Sequence, residues 1–210
     1  MKRHNLVGLA GLMFIAPWSA QTLSNGFALA IAILIGMAAA LVWVGVTWFR
    51  AWKSDFAHSP WQPAWLDALM LVLTIVGLAV AGYLTYVETQ AVAAVCGPVG
   101  DCNAVQTSSY SKLLGLIPVG LIGMAGYVAI LAVWLWGRFG SGRLADYAPL
   151  AVHGMTILAV AFSLYLTFLE PFVIQAVCIW CLTSAVVITL VMLLSRPAAL
   201  ASFVSGAGEV

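Results

Sequence analysis

The strongest constraint in this sequence is a succession of apolar stretches, each about as long as a bilayer core is thick. A spanning helix needs about 20 predominantly apolar residues, and the chain offers five clear runs of that kind and one shorter one. Of its 210 residues, 64% are hydrophobic and only 7% are charged, and the mean hydropathy is +1.08. A soluble domain carries about 25% charged residues. An all-α integral membrane protein is therefore predicted, with no sizeable soluble domain. The net charge of +1, without a basic or acidic block, argues against nucleic acid as a partner.

Taken in order, Met1-Lys2-Arg3-His4 and the apolar residues up to Ala20 fit a signal peptide in outline. Trp18 spoils the cleavage site, where a small side chain is wanted. The favoured expectation is a retained first helix over 6–23, reversing at Ser24-Asn25-Gly26 into a second over 27–49. A polar linker with Pro60 and Pro63 follows. The third span covers 65–87, and a polar loop over 88–112 holds Cys96 and Cys102. The fourth span covers 113–136, with Pro118 near its start, and the fifth 148–169. The sixth starts at Cys178-Ile179-Trp180-Cys181 and is expected to stop before Arg196-Pro197. The expected organisation is thus an N-terminal membrane region (1–64), a four-helix bundle (65–195) and a short cytoplasmic tail (196–210). No internal repeat and no β-pattern is visible.

Charge then predicts orientation. Alternating spans put Lys2, Arg3, Arg50, Lys53, Arg138, Arg143 and Arg196 on one side and Lys112 on the other, and the positive side is cytoplasmic. Trp48, Trp52, Trp61, Trp65, Trp134 and Trp136 fall near the same interface, where amphipathic rings settle. All four cysteines are then expected on the extracytoplasmic side.

Three readings of four outward sulfurs compete. Structural staples suit an oxidising compartment, but a C-x-x-C ring constrains almost no chain, and loop-closure stabilisation grows with loop length. A four-cysteine zinc site suits Cys178 and Cys181, whereas the five residues between Cys96 and Cys102 exceed the usual two to four; no metal is expected. The favoured reading is a redox relay. Disulfides exchange by thiolate attack through a mixed disulfide, so a mobile loop pair (beside Gly97, Pro98 and Gly100) can meet a partner while a fixed helix pair meets the acceptor. No flavin, haem or nucleotide motif is present, which leaves a diffusible quinone as the expected acceptor.

Gly82-Tyr83-Leu84-Thr85-Tyr86, the Cys96/Cys102 pair, Ser108, Gly115 and the stretch from Ser163 through Cys181 together resemble the vitamin K epoxide reductase family. The wide pair precedes the C-x-x-C, with one serine between; DsbB-type quinone oxidoreductases place their C-x-x-C in the first outer loop. The resemblance implies a four-helix transmembrane bundle around a quinone, here preceded by two extra helices. It implies that Cys96 takes electrons from a thioredoxin-like protein, that Cys102 passes them to Cys178, and that Cys181 meets the quinone near Ser108. Many bacterial members carry a fused thioredoxin-like domain; here a separate DsbA-like polypeptide is expected. The setting implied is the bacterial inner membrane, in contact with lipid, with ubiquinone or menaquinone as acceptor.

Two positions depart from the animal members. Ala185 stands where they have a tyrosine, and residues 113–126 contain no asparagine to bind the quinone oxygen. Both favour plain quinone reduction over epoxide reduction. Other residues carry two readings each. Thr107, Ser108 and Ser109 could simply cap a short helix. Gly120, Gly123 and Gly126 serve helix packing or make room for a flat ring. His153, an ionisable group within a span, is expected to have a packing or interfacial role near the cytoplasmic end, far from the sulfurs. Glu170 and Asp101 are proton-handling candidates, Asp101 equally a turn residue. The competing functions are a thiol–quinone oxidoreductase, a redox carrier that matures a secreted enzyme without a quinone, and a scaffold or transporter with incidental disulfides.

Overall fold

The computed structural model describes residues 6–53, 64–97, 100–113 and 115–207. Trp61, Pro98 and the basic residues Lys2 and Arg3 lie outside the described residues. The elements are α1 (Leu6–Lys53), α2 (Ala64–Gln90), α3 (Cys102–Thr107), β1 (Lys112–Leu113), β2 (Ile117–Pro118), α4 (Val119–Phe139), α5 (Arg143–Asp146), α6 (Ala148–Leu169) and α7 (Ile179–Ala207). Five helices are long and apolar enough to cross a membrane: Gly26–Lys53, Trp65–Gln90, Val119–Phe139, Ala148–Ile174 and Ile179–Phe203. This is a multi-pass, all-helical membrane protein.

Helix α7 packs on α6 and α2, α2 on α4, and α4 on α6, which closes a four-helix bundle; α1 lies against α6 and α7 from outside. The bundle centre is filled by Ile130, Val152, Val160, Ala185, Val191 and Met192, with Met37 of α1 reaching into the same cluster. Large apolar side chains such as Val72 and Leu158 face outward, as a lipid-facing surface requires. The attachment of α1 is polar as well as apolar. The Trp48 indole N–H donates to His153 Nε2 at 3.0 Å, and His153 Nδ1 sits 3.0 Å from Ser195 Oγ. Since Nε2 accepts, Nδ1 carries the ring proton and donates to Ser195, whose hydroxyl in turn donates to the Met192 carbonyl at 3.0 Å. His153 has the packing role expected of it.

Several boundaries differ from the sequence expectation. The reversal at Ser24-Asn25-Gly26 does not occur; α1 is one helix of 48 residues. Gly26 costs a helix interior about 1 kcal/mol relative to Ala, and the long apolar runs on either side outweigh it. The bundle therefore has one preceding helix among the described residues, not two. The fourth helix starts at Val119 because residues 112–118 form a small antiparallel hairpin, Lys112 pairing with Pro118 and Leu113 with Ile117. Pro118 then stands immediately before the helix, with no N–H to leave unpaired. Helix α2 continues to Gln90 and so includes Glu88. The segment expected as a loop after Leu169 begins as a π-turn over Glu170–Ile174, ended by Gln175 in the left-handed conformation (φ 57°).

Helix α7 also runs through Arg196-Pro197 to Ala207. Pro197 forfeits one backbone bond, which neighbouring helices make tolerable in a membrane protein. The Arg196 guanidinium packs over the Trp43 ring at 4.2 Å. Arg50, Lys53, Arg138, Arg143 and Arg196 still gather at one end of the bundle, and Lys112 lies at the other.

Candidate redox site and its cavity

The end of the bundle that carries Lys112 also carries all four cysteines. Cys96 and Cys102 are joined by a disulfide, with Cα atoms 5.9 Å apart, while Cys178 and Cys181 are two free thiols. Cys102 and Cys178, each 0% exposed, lie in one buried cluster with Val80, Leu84, Val87, Ala94, Val105 and Ala176, and Cys96 and Cys181 pack against it. Two pairs separated by 75 residues thus meet in one place. Cys96 is half-buried and Cys102 fully so, leaving Cys96 the more accessible member of its pair.

Cys178 is the N-cap of α7. Its carbonyl accepts from Leu182 N–H at 3.0 Å, and its sulfur accepts from Cys181 N–H at 3.3 Å, the position a serine or aspartate oxygen ordinarily fills. The Gln106 amide of α3 lies 3.9 Å from both Cys178 and Cys181 sulfurs. The hydrogen bond from the Cys181 thiol, more than any other contact, pulls the Cys178 thiol below its ordinary pKa; burial opposes this and is outweighed. The positive end of α7 acts in the same direction.

Glu170 organises the approach to this cap. Its main-chain carbonyl accepts from Gln175 and Ala176, the latter at 3.1 Å, and its carboxyl, 2% exposed, accepts from Cys178 N–H at 2.9 Å. The carboxyl also meets the Cys181 thiol. Glu170, a proton-handling candidate by sequence, lies against both inner cysteines. Asp101 is the N-cap of α3, accepting from Ala104 N–H at 3.0 Å, so its observed place is the turn.

The loop bearing Cys96 is tied down on both sides. Asn103 Oδ1 accepts from Ala94 N–H (2.7 Å), Tyr83 Oη accepts from Val95 N–H (2.8 Å), and the Trp180 indole N–H donates to the Val95 carbonyl (2.8 Å). On the far side Asp101 N–H donates to the Val177 carbonyl at 2.9 Å. Gly100, at φ 93°, lies so close to that carbonyl that a Cβ would collide with it. The freedom expected of the whole loop is therefore curtailed at Ala94, Val95 and Asp101, each of which is held by hydrogen bonds.

Beneath the inner cysteines lies a cavity of about 290 Å³ lined by Cys181, Leu84, Glu88, Phe162, Leu166 and Tyr127 among others. Gly120, Gly123 and Gly126 all line it, and they divide the two roles expected of them. A Cβ on Gly120 would sit 2.7 Å from the Thr85 backbone nitrogen, so Gly120 permits helix contact; a Cβ on Gly126 would meet nothing within 4 Å, so Gly126 leaves room. Ala185 is fully buried in the core and does not line the cavity. Ser108 lies outside it too: this serine is the C-cap of α3, its hydroxyl donating to the Val105 carbonyl at 2.7 Å, and it lines a separate outer cleft with Asn103, Gln106 and Lys112. Gln106 and Glu88 were missed by sequence reasoning. Neither stands in a motif, and only the folded chain brings them to the cysteines.

A bundle of spanning helices with a disulfide and a dithiol packed at one end is the architecture of a membrane thiol–disulfide oxidoreductase. Residues 68–196 match the vitamin K epoxide reductase family, and the chain belongs to that family. No solved structure matches the chain. Among the described residues, no group of three or more His, Cys, Asp or Glu side chains is arranged to hold a metal ion.

Proposed function

We propose that this protein carries two electrons from an exported thioredoxin-like (DsbA-like) dithiol protein, through Cys96–Cys102 and then Cys178–Cys181, to a membrane quinone, and so supports disulfide formation outside the bacterial inner membrane. The observation that carries this reading is the packing of Cys102 and Cys178 in one buried cluster directly above an apolar cavity that Cys181 lines.

The thiol steps balance as follows. The partner's dithiol reduces the Cys96–Cys102 disulfide and leaves oxidised. Cys102 thiolate attacks Cys178 in an oxidised inner pair, forming Cys102–Cys178 and releasing Cys181. Cys96 then attacks Cys102, re-forming the outer disulfide and expelling Cys178 as thiolate. Exchange runs faster when the leaving thiol has the lower pKa, which is what the cap geometry gives Cys178. The resulting state, outer pair bonded and inner pair free, is the one in the structure.

The cavity fits a quinone head by its apolar lining and by the space opposite Gly126. A quinone there supplies a two-electron, two-proton acceptor, and closure of Cys178–Cys181 to a disulfide returns the inner pair to its starting form. Leu84, Phe162 and Leu166 exclude water from the exchange, and Cys181 is the sulfur on the cavity wall. Ser108, outside this cavity, acts through α3, which it caps and which holds Gln106 over the two inner sulfurs. The cytoplasmic assignment of the arginine-rich end follows from the charge asymmetry and puts the cysteines outside.

The test is quinol formation by purified protein given a reduced thioredoxin-like donor. Turnover that disappears in Cys181→Ser is expected. Disulfide exchange with the donor but no quinol would make the protein a carrier instead, and an unaffected assembly after loss of all four thiols would make it a scaffold.

A further inference from the structure

The inner cavity and the outer cleft share one side chain. Glu88 lines the cavity with Cys181, where it is the only carboxyl among the described residues, and also lines the cleft that holds Gln106, Ser108 and Lys112. Its Oε2 accepts from Gly120 N–H at 3.0 Å, which fixes the carboxyl at the first turn of α4 between the two spaces. We propose that Glu88 is the proton donor to the quinone oxygen in the Cys181 cavity, and that it is reloaded from water through the outer cleft. This rests on the quinone reading above and adds a catalytic residue to it.

The proton count asks for such a group. Oxidation of the inner dithiol removes two electrons and forms one S–S bond, while the quinone needs two electrons and two protons. Cys181 brings one proton on its sulfur. Cys178 brings none, because it leaves the mixed disulfide as a thiolate and the proton of the attacking Cys96 thiol goes to water. The second proton must therefore come from elsewhere, across a lining that is otherwise apolar except for Ser163, Ser184 and Tyr127. The Tyr127 hydroxyl is engaged with Ser184, 3.2 Å from its carbonyl and 3.3 Å from its Oγ. Glu88 delivers that proton and takes one back from the cleft, equal to the one the outer thiol released to water on attack.

The alternative is that Glu88 only caps α4, and Glu88→Gln separates the two. An amide oxygen still accepts from Gly120 N–H but holds no transferable proton. In the full-length protein, E88Q is expected to exchange disulfides with the reduced donor at the parental rate and to form quinol on the order of 100-fold more slowly, within the range for loss of a general acid. Glu88→Asp is expected to recover part of the rate. The titratable groups around Glu88 are Cys181 of α7, Tyr127 of α4, Lys112 of β1 and, beyond Cys181, Glu170; none of these is altered in E88Q. An acid must be protonated to act, so parental quinol formation falls on the alkaline side, and E88Q loses that limb.

A second readout needs no turnover. In Cys181→Ser protein, infrared difference spectra on adding quinone are expected to show a shift in a carboxyl C=O band that is missing from C181S/E88Q. E88Q turnover within twofold of the parent with the same alkaline limb, or an unchanged carboxyl band, overturns the assignment. So does loss of disulfide exchange together with turnover in both E88Q and E88D, which would mark Glu88 as structural. A parent that exchanges disulfides but never forms quinol defeats the underlying reading instead, and the assignment falls with it.

Discussion

At the start of α7 a sulfur does the work usually left to a hydroxyl or carboxylate oxygen. Cys178 Sγ accepts the Cys181 N–H, and the Cys181 thiol hydrogen bond lowers the Cys178 pKa. Removing that donor in Cys181→Ala should move the Cys178 titration back up towards the ordinary thiol value of about 8.5, read by thiolate ultraviolet absorbance of the reduced protein. The same shift couples to stability. A thiol whose folded pKa is lowered favours the folded state above the unfolded pKa and loses that contribution as pH falls through the folded one. Reduced protein should therefore gain melting temperature over Cys178→Ala as pH rises, with the gap levelling above the unfolded thiol pKa. A gap that narrows with rising pH would contradict the lowered value. Glu170 makes a separate residue-scale prediction. Glu170→Ala leaves the buried Cys178 N–H without its acceptor, and chemical denaturation should show a loss of about 1–3 kcal/mol.

Among the helices, α4 carries the sharpest contrast. Gly120 touches α2 backbone, so Gly120→Ala forces the helices apart and should cost about 1–3 kcal/mol, as overpacking does, measured as a drop in thermal stability. Gly126 faces open cavity, so Gly126→Leu should leave stability close to parental while raising the KM for quinone or abolishing its reduction. Equal destabilisation by both changes would contradict the division. How far such detail is legible in sequence depends on the kind of signal. The spanning helices are written in long apolar runs, and the inner cysteines in a spacing that a helix start explains, so both were readable. The hairpin expected at Ser24-Asn25-Gly26 was not, because a single weak breaker does not decide between a turn and a continuing helix. Pro118 and Pro197 show the same limit: one precedes a helix and the other sits inside one, and only their neighbours distinguish them. Glu88 was placed in a loop by its charge, yet α2 carries it down to the cavity.

Over the whole molecule, the fold separates two ends of one bundle. One gathers arginines and the Trp48–His153–Ser195 chain that fastens α1; the other gathers sulfur, the buried Glu170 and the cavity with Glu88. Electron transfer in the proposed order depends on Cys102 reaching Cys178 without dismantling the anchors at Val95 and Asp101. That contact can be captured directly. With Cys96 and Cys181 both changed to serine, the two remaining thiols should join under mild oxidation, and mass spectrometry of the digested protein should recover the Cys102–Cys178 linked peptides in high yield. If oxidation leaves both thiols free, or links them only between molecules, the relay through this cluster is wrong.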